Sequence, residues 1–262
     1  MAGLDRLGRL FLRKHSPAEV ASRTARIYRA MLERSQHIRS GNFEAIAVDD
    51  LRLLFDLYDF EFFEGLLSAM LREDCDGRIT LRLSDRMTRA AGKTIRHRTR
   101  QRVGWRVVEQ PEYELAISTF LLFQTFEHID RPVTVTGLVC RDRLEALQRI
   151  FEHELLHLAE FLAEGRSSCS AAQFQSLSRA IFGHESAVHD LVTPREIAAK
   201  AHAIRQGDRV AFDFEGKTHF GRVNRITKRA SILVEDPGGP MFSDGRRYST
   251  FYIPLHLLRK QG

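Results

Sequence analysis

The sequence predicts an α+β fold made of a helical segment, a mixed domain of helices with a short sheet, and a small β-rich domain. Apolar residues recur at helical spacing near the N-terminus and again after residue 139, and between these regions polar and apolar residues alternate in steps of two. From Gly207 onward, short strand-like segments alternate with turn residues. We therefore expect three parts, at residues 1–48, 49–206 and 207–262.

The N-terminal part is expected to contain one long helix, from Pro17 to Ser40. Ser16 is a favourable N-cap residue, and Glu19 three residues later completes a capping box. Proline is well suited to the first helical position, which Pro17 occupies. Gly41 is expected to end this helix.

The central part is predicted to open with a second helix, from Val48 or Asp49 to Leu71, which Gly65 is expected to bend or end early. Its apolar stripe repeats in steps of three and four and comprises Leu51, Leu54, Phe55, Tyr58, Phe62, Leu66 and Met70. Alternating polarity then predicts strands at 78–84, 90–95 and 113–118.

A third long helix is predicted after Val139, with one continuous apolar face. This face comprises Leu144, Leu147, Phe151, Leu158 and Leu162. The several short strands predicted in residues 207–262 favour a small β-barrel.

Composition narrows the functional classes. The chain has 262 residues, of which 43% are hydrophobic and 28% are charged, so it is not expected to be a disordered protein. No apolar run approaches the ~18 to 20 residues of a membrane-spanning helix, and no secretory signal is present, so we expect a cytoplasmic protein. Cys75, Cys140 and Cys169 are too few and too scattered for a disulfide framework, and we expect them to be reduced and structural.

The motif that carries chemistry is His153-Glu154-Leu155-Leu156-His157, an H-E-x-x-H pattern within the third helix. Side chains four residues apart share a helix face, so His153 and His157 can converge on one metal ion. Glu154 projects toward the sheet side, where its carboxylate could take a proton from a metal-bound water and pass it to a leaving amine. The alternative is two histidines and a carboxylate on a solvated helix face.

A catalytic zinc needs a third protein ligand and one open position. The segment 183–189 offers three candidates, which are His184, Glu185 and His189. The residues alone leave the choice among them open.

The chain resembles the SprT-like zinc metalloproteases across roughly residues 49–192. The resemblance rests on elements in family order: Phe62-Phe63-Glu64-Gly65-Leu66-Leu67, Ile79-Thr80-Leu81, Ala91-Gly92-Lys93-Thr94, Leu115-Ala116-Ile117-Ser118, the H-E-x-x-H motif and Gly183-His184. The resemblance implies a zincin-like fold and a zinc-dependent endopeptidase that acts on a protein substrate. It also implies that His153, His157 and His184 bind Zn²⁺ and that Glu154 is the general base.

Positive charge is concentrated beside the second predicted strand. The whole chain carries +6, whereas residues 82–106 hold nine basic residues and one acidic residue. Arg96, Arg98, Arg100 and Arg102 would face one side of a strand and could bind phosphates, and Trp105 could stack on an unpaired base. The alternative is a charged edge strand that resists aggregation.

Family members such as Spartan cut proteins crosslinked to DNA, so the resemblance implies a nucleic acid, most simply DNA, as a partner. Residues 207–262 look like an SH3-like or KOW-type module, a type that binds nucleic acid or protein. The rival hypothesis is a nucleic-acid-binding protein that does not cleave protein and whose zinc site is structural or vestigial.

Overall fold

The computed structural model describes residues 8–10, 12–103, 105–126 and 131–261, with the side chains of residues 100–103 and 106–109 left outside the description. The chain divides into two compact units, Met1–Leu191 and Val192–Gly262. Helices and sheets are mixed, so the predicted α+β class is confirmed. In the described part of the chain, no helix has both the length and the apolar character needed to cross a membrane.

The first helix, α1 (Pro17–Arg34), begins with the expected capping box. Ser16 Oγ accepts a hydrogen bond from the Glu19 amide, and the Glu19 carboxylate accepts one from the Ser16 amide. The helix ends before the predicted Ser40 because the Ser35 hydroxyl accepts hydrogen bonds from the amides of His37 and Ile38. A side chain that binds the following amides competes with helical hydrogen bonding.

The predicted second helix is two helices, α2 (Val48–Phe63) and α3 (Leu66–Cys75). Glu64 and Gly65 both adopt the left-handed conformation, with φ of 53° and 78°, and this ends α2. The Asp59 carboxylate then accepts hydrogen bonds from the amides of Leu67 and Ser68, at 2.9 and 3.0 Å. It thereby satisfies amides that the first turn of α3 leaves free.

A three-stranded sheet follows, made of β1 (Thr80–Ser84), β2 (Gly92–Val103) and β3 (Arg106–Ser118) in the order β1-β3-β2. Strand β3 pairs parallel with β1 and antiparallel with β2, and β2 and β3 form one long hairpin. The three predicted strands are therefore present, and two of them are longer than predicted. Their extension forms the hairpin that carries the basic segment.

Helix α4 (Thr119–Gln124) and a two-stranded sheet of β4 (Val133–Val135) and β5 (Leu138–Cys140) lead to α5 (Arg143–Glu164). The predicted apolar face of α5 is buried in the main core. Helix α5 packs against β2, and α6 (Ala172–Phe182) packs against α5. This packing places the H-E-x-x-H residues between strand β2 and helix α6.

The second unit contains α7 (Pro194–His202) and a five-stranded antiparallel sheet. The strands β6 (Arg209–Phe214), β7 (Lys217–Ile226), β8 (Ala230–Glu235), β9 (Tyr248–Ile253) and β10 (Arg259–Lys260) have the order β10-β6-β7-β8-β9. The described strands do not close the predicted barrel, since β10 and β9 lie at opposite edges. Strand β10 has only two residues, and a short 3₁₀ helix at Leu255–Leu257 separates it from β9.

The division between the units precedes the predicted boundary at Gly207. Ala198 of α7 and Ile204 are fully buried in the same core as Val210 and Phe212 of the sheet. Helix α7 therefore belongs to the β-rich unit. The N-terminal helix α1 contributes Ile27 and similar residues to the core of the first unit, with α2 and α5.

Candidate metal centre

The centre of the site is a pair of histidine rings one helical turn apart on α5. The Nε2 atoms of His153 and His157 lie 3.2 Å apart. Two nitrogen ligands of one tetrahedral zinc ion lie about 3.3 Å apart, given Zn–N distances of ~2.0–2.1 Å. Phe174 of α6 packs against both rings, with centroid distances of 5.0 and 4.5 Å, and so restricts their orientations. The backbone and the packing thus hold two ring nitrogens at the spacing of zinc ligands.

Both rings are neutral at physiological pH. The pKa of His153 is lowered to about 3, mainly by burial and to a smaller extent by electrostatic repulsion from His157, His184 and His189. Burial also lowers the pKa of His157, to about 4. A neutral imidazole has one nitrogen with a free lone pair, which is the form that binds a metal.

Hydrogen bonds determine which nitrogen of His157 is free. The Ser167 hydroxyl donates to Glu160 Oε2 at 2.6 Å, so it accepts a hydrogen bond from His157 Nδ1, which lies 2.7 Å away. Gln173 of α6 donates to the other carboxylate oxygen of Glu160 at 3.1 Å. With its proton on Nδ1, His157 has its lone pair on Nε2, facing His153.

Cys169 completes a cluster of possible metal ligands, which the sequence analysis missed. The Cys169 Sγ atom and one ring nitrogen each of His153 and His157 all lie within 4.8 Å of one another. We call these three residues the ligand cluster. The sequence signal for Cys169 is its place in the short loop after an H-E-x-x-H helix; without a C-x-x-C pair, sequence reasoning predicts a structural cysteine instead.

His184, the predicted third ligand, lies outside the ligand cluster and is held by a second buried carboxylate. It is 2% exposed, and its Nε2 atom lies 2.8 Å from Glu152 Oε2. Burial raises the pKa of Glu152, but the charge of Arg149 and the hydrogen bonds from His184 and Tyr58 outweigh burial and keep it below its usual value. The carboxylate therefore accepts a hydrogen bond from His184 Nε2, and the lone pair of a neutral His184 is on Nδ1. That atom is buried, and no group in the described part of the chain hydrogen-bonds to it.

The other two candidates for third ligand are placed differently. Glu185 is exposed, and its amide donates to the Thr136 carbonyl at 3.0 Å. His189 is half-buried opposite Val135, and burial lowers its pKa. Its Nδ1 atom has no hydrogen-bond partner among the residues that the structure describes. Neither residue joins the ligand cluster.

Glu154 projects roughly 60 to 100° around the helix from the histidine pair, toward β2. It is 4% exposed, and Thr94 Oγ1 donates a 2.7 Å hydrogen bond to its Oε2 atom. Burial raises the pKa of Glu154 to about 7, against the opposing effect of the hydrogen bonds from Thr94. The carboxyl group can therefore accept and release a proton near neutral pH.

Strand β2 approaches Glu154 closely because residue 92 is a glycine. A Cβ atom on Gly92 would lie 2.5 Å from Glu154 Cγ and 2.6 Å from Oε1. Any larger residue would displace the carboxylate. The predicted Ala91-Gly92-Lys93-Thr94 segment thus supplies both the space for Glu154 and its hydrogen-bond donor.

A cavity of about 440 Å³ adjoins the ligand cluster. Its lining comprises Cys169, Ser170, Gln175, Ser178, Arg179, His184, Glu185, Ser186, Ala187 and Val188. Cys169 and His184 thus share one cavity.

The predicted basic strand is part of β2, and it extends from the site along the hairpin. Alternation places Thr94, Arg96 and Arg98 on the same face, which is the face that packs on α5. Arg96 is half-buried beside Gly165 at the end of α5, and Arg98 is exposed. Trp105, between β2 and β3, is 96% exposed.

Arg100 and Arg102 also lie in β2, where they pair with Glu109 and Val107. Their side chains lie outside the described part of the chain. Whether they continue the basic row stays a prediction.

We compared the chain with protein-family models, with curated proteins and with solved structures. None of the three comparisons gave a significant match.

Proposed function

We propose that the chain is a zinc-dependent metallopeptidase in which His153 and His157 bind Zn²⁺ and Glu154 is the general base. One observation carries the proposal: two neutral imidazoles present Nε2 atoms 3.2 Å apart, next to a buried carboxyl group whose pKa is raised to about 7. The alternative, two histidines on a solvated helix face, does not account for the burial of both rings or for the hydrogen bonds that orient His157. The SprT-like resemblance supports the same activity.

Each residue has a separate task in this proposal. When bound, zinc acts as a Lewis acid that lowers the pKa of water toward 7 and polarises a peptide carbonyl. Thr94 donates to Oε2 of Glu154 and so orients the carboxylate, which takes a proton of the attacking water. Glu154 then delivers this proton to the leaving amine nitrogen. Burial raises the pKa of Glu154, and this favours a carboxyl group that first accepts a proton and then donates it.

Two residues are candidates for the third zinc ligand. The resemblance implies His184, and its buried Nδ1 atom without a partner supports this role. The ligand cluster instead contains Cys169. In either case the first unit would be a SprT-like zincin domain, and the second unit an SH3-like module.

The test of this function is cleavage of an unfolded protein, such as fluorescently labelled casein, by the zinc-loaded chain. Glu154→Gln should lower the cleavage rate by about 10²–10⁴-fold, the usual contribution of general-base catalysis, and should keep the zinc. Glu164→Gln, at the exposed end of the same helix, is the matched control and should cleave at the wild-type rate. Undiminished cleavage by Glu154→Gln would remove this mechanism.

We further propose that a nucleic acid, most simply DNA, binds along the β2–β3 hairpin. Trp105 is almost fully exposed, and Arg96 and Arg98 share the strand face on which Glu154 lies. Stacking on an aromatic residue contributes about 1–3 kcal/mol per base, so Trp105→Ala should weaken binding to single-stranded DNA by that amount.

The DNA experiment also separates the proposed enzyme from its rival. Binding should weaken steeply with salt, because arginines that contact phosphates release counterions. A zinc-loaded chain that binds DNA in this way but cleaves no protein would favour the alternative, a nucleic-acid-binding protein with a structural or vestigial zinc site.

A further inference from the structure

We propose that Cys169 is the third zinc ligand, in place of the predicted His184, so that the metal is held by two imidazoles and one thiolate. This inference rests on the proposed zinc site. Among the described residues, the Cys169 Sγ atom lies within 4.8 Å of both histidine ligand atoms, and His184 is not part of that cluster. A thiolate is a preferred zinc ligand, and its proton is released to solvent when the sulfur coordinates the metal.

The loop that carries Cys169 is fixed to the histidine pair. Ser167, two residues before Cys169, contacts His157 Nδ1 at 2.7 Å and donates to Glu160 at 2.6 Å. The Ala171 amide then donates to the Ser168 carbonyl at 3.0 Å, so Cys169 lies within a closed turn between these residues. The hydrogen bonds that orient His157 therefore also hold the cysteine on the same side of α5.

A second observation concerns His184, which shares a cavity with Cys169. Cys169 and His184 line the same cavity of about 440 Å³, and among the described residues no group hydrogen-bonds to the buried Nδ1 atom of His184. Buried polar atoms normally have a partner, so this atom is expected to bond to a ligand or a water molecule in the cavity. The other nitrogen of His184 is bound to Glu152, which fixes the ring in this orientation.

The two assignments of the third ligand predict different roles for His184. With Cys169 as ligand, His184 is a buried residue in the cavity lining whose ring is held by Glu152 and not by the metal. Three protein ligands leave one position of a tetrahedral zinc open for chemistry. The site thus remains catalytic under this assignment.

The deciding experiment is zinc K-edge X-ray absorption on the purified full chain, combined with zinc stoichiometry. The wild type should show one sulfur atom at about 2.3 Å from zinc. Cys169→His should keep the zinc and lose the sulfur signal. Cys169→Ala should bind zinc at least about 100-fold more weakly, which exceeds the roughly 10–100-fold cost of losing an outer hydrogen-bond partner.

His184→Ala is the matched variant: it should keep the sulfur signal and lose less than about 100-fold in zinc affinity, the most that loss of an outer hydrogen-bond partner costs. Because this buried variant could misfold, the spectrum of the wild type decides first. Stoichiometric zinc with only nitrogen and oxygen neighbours would overturn the assignment of Cys169 and leave the proposed zinc site intact. A wild-type chain that binds no zinc would overturn both.

Discussion

Glu154→Gln should make the metal-free protein more stable than the wild type, but only above a defined pH. Burial raises the pKa of Glu154 from 4.5 to about 7. Because one pKa unit corresponds to about 1.4 kcal/mol, the ionised carboxylate costs about 3 kcal/mol of the free energy of unfolding. Glutamine cannot ionise, and its side-chain oxygen can still accept the hydrogen bond from Thr94.

The sign follows from proton linkage. Between pH 4.5 and about 7 the folded wild type binds more protons at Glu154 than the unfolded chain does, so its stability falls as the pH rises. Below pH 4.5 Glu154 is mostly protonated in both the folded and the unfolded wild type. The stabilities of wild type and variant should therefore differ least there. Above about pH 8 the free energy of unfolding of the variant should exceed that of the wild type. This difference between the two proteins should be about 3 kcal/mol larger than at low pH.

The assay is urea unfolding of both proteins in the presence of a chelator, at about pH 4, 5.5, 7 and 8.5. The other titrating groups are common to both proteins, so their effects cancel in the difference. Glu164→Gln, on the exposed end of α5, controls for the loss of one carboxylate. A difference between Glu154→Gln and wild type that stays constant over this range would refute the buried, proton-exchanging carboxyl group.

Three further changes test the groups around the site. Thr94→Val removes the donor to Glu154 and should lower kcat about tenfold or more with zinc content unchanged, whereas Thr94→Ser should restore the rate. Gly92→Ala should also lower kcat without loss of zinc, because the added Cβ displaces the Glu154 carboxylate, and a crystal structure with Glu154 unmoved would contradict this reason. Ser167→Ala removes the hydrogen-bond partner of His157 Nδ1 and should weaken zinc binding about 10–100-fold, measured by competition with a chelator. An unchanged zinc affinity would show that this hydrogen bond does not orient the ring.

Local patterns predicted much of the fold, since they determine where single elements begin and what they bury. The capping box at Ser16, the three strands and the apolar face of α5 all follow from residue spacing. The end of α1 was not predictable, because it depends on hydrogen bonds that the Ser35 hydroxyl accepts from the following amides. The unclosed sheet of the second unit also could not be predicted, since strand spacing does not specify which edge strands pair.

In the candidate site, too, the contacts set by helical spacing could be predicted, and those that depend on the folding of loops could not. Helical spacing brought His153 and His157 together and directed Glu154 toward the sheet, where Thr94 binds it. The place of Cys169 depends on how the loop after α5 folds back, and no spacing rule encodes that path. The carboxylates that orient His157 and His184 are likewise visible only in three dimensions.

The most direct test of the account is the zinc content of the purified chain, measured by mass spectrometry after equilibration with equimolar zinc and removal of free metal. The account predicts one zinc ion per wild-type chain and none in His153→Ala, with the fold of the variant checked by circular dichroism. A folded wild-type chain without zinc, or a His153→Ala variant that keeps its zinc, would contradict the proposal that the histidine pair on α5 holds the metal.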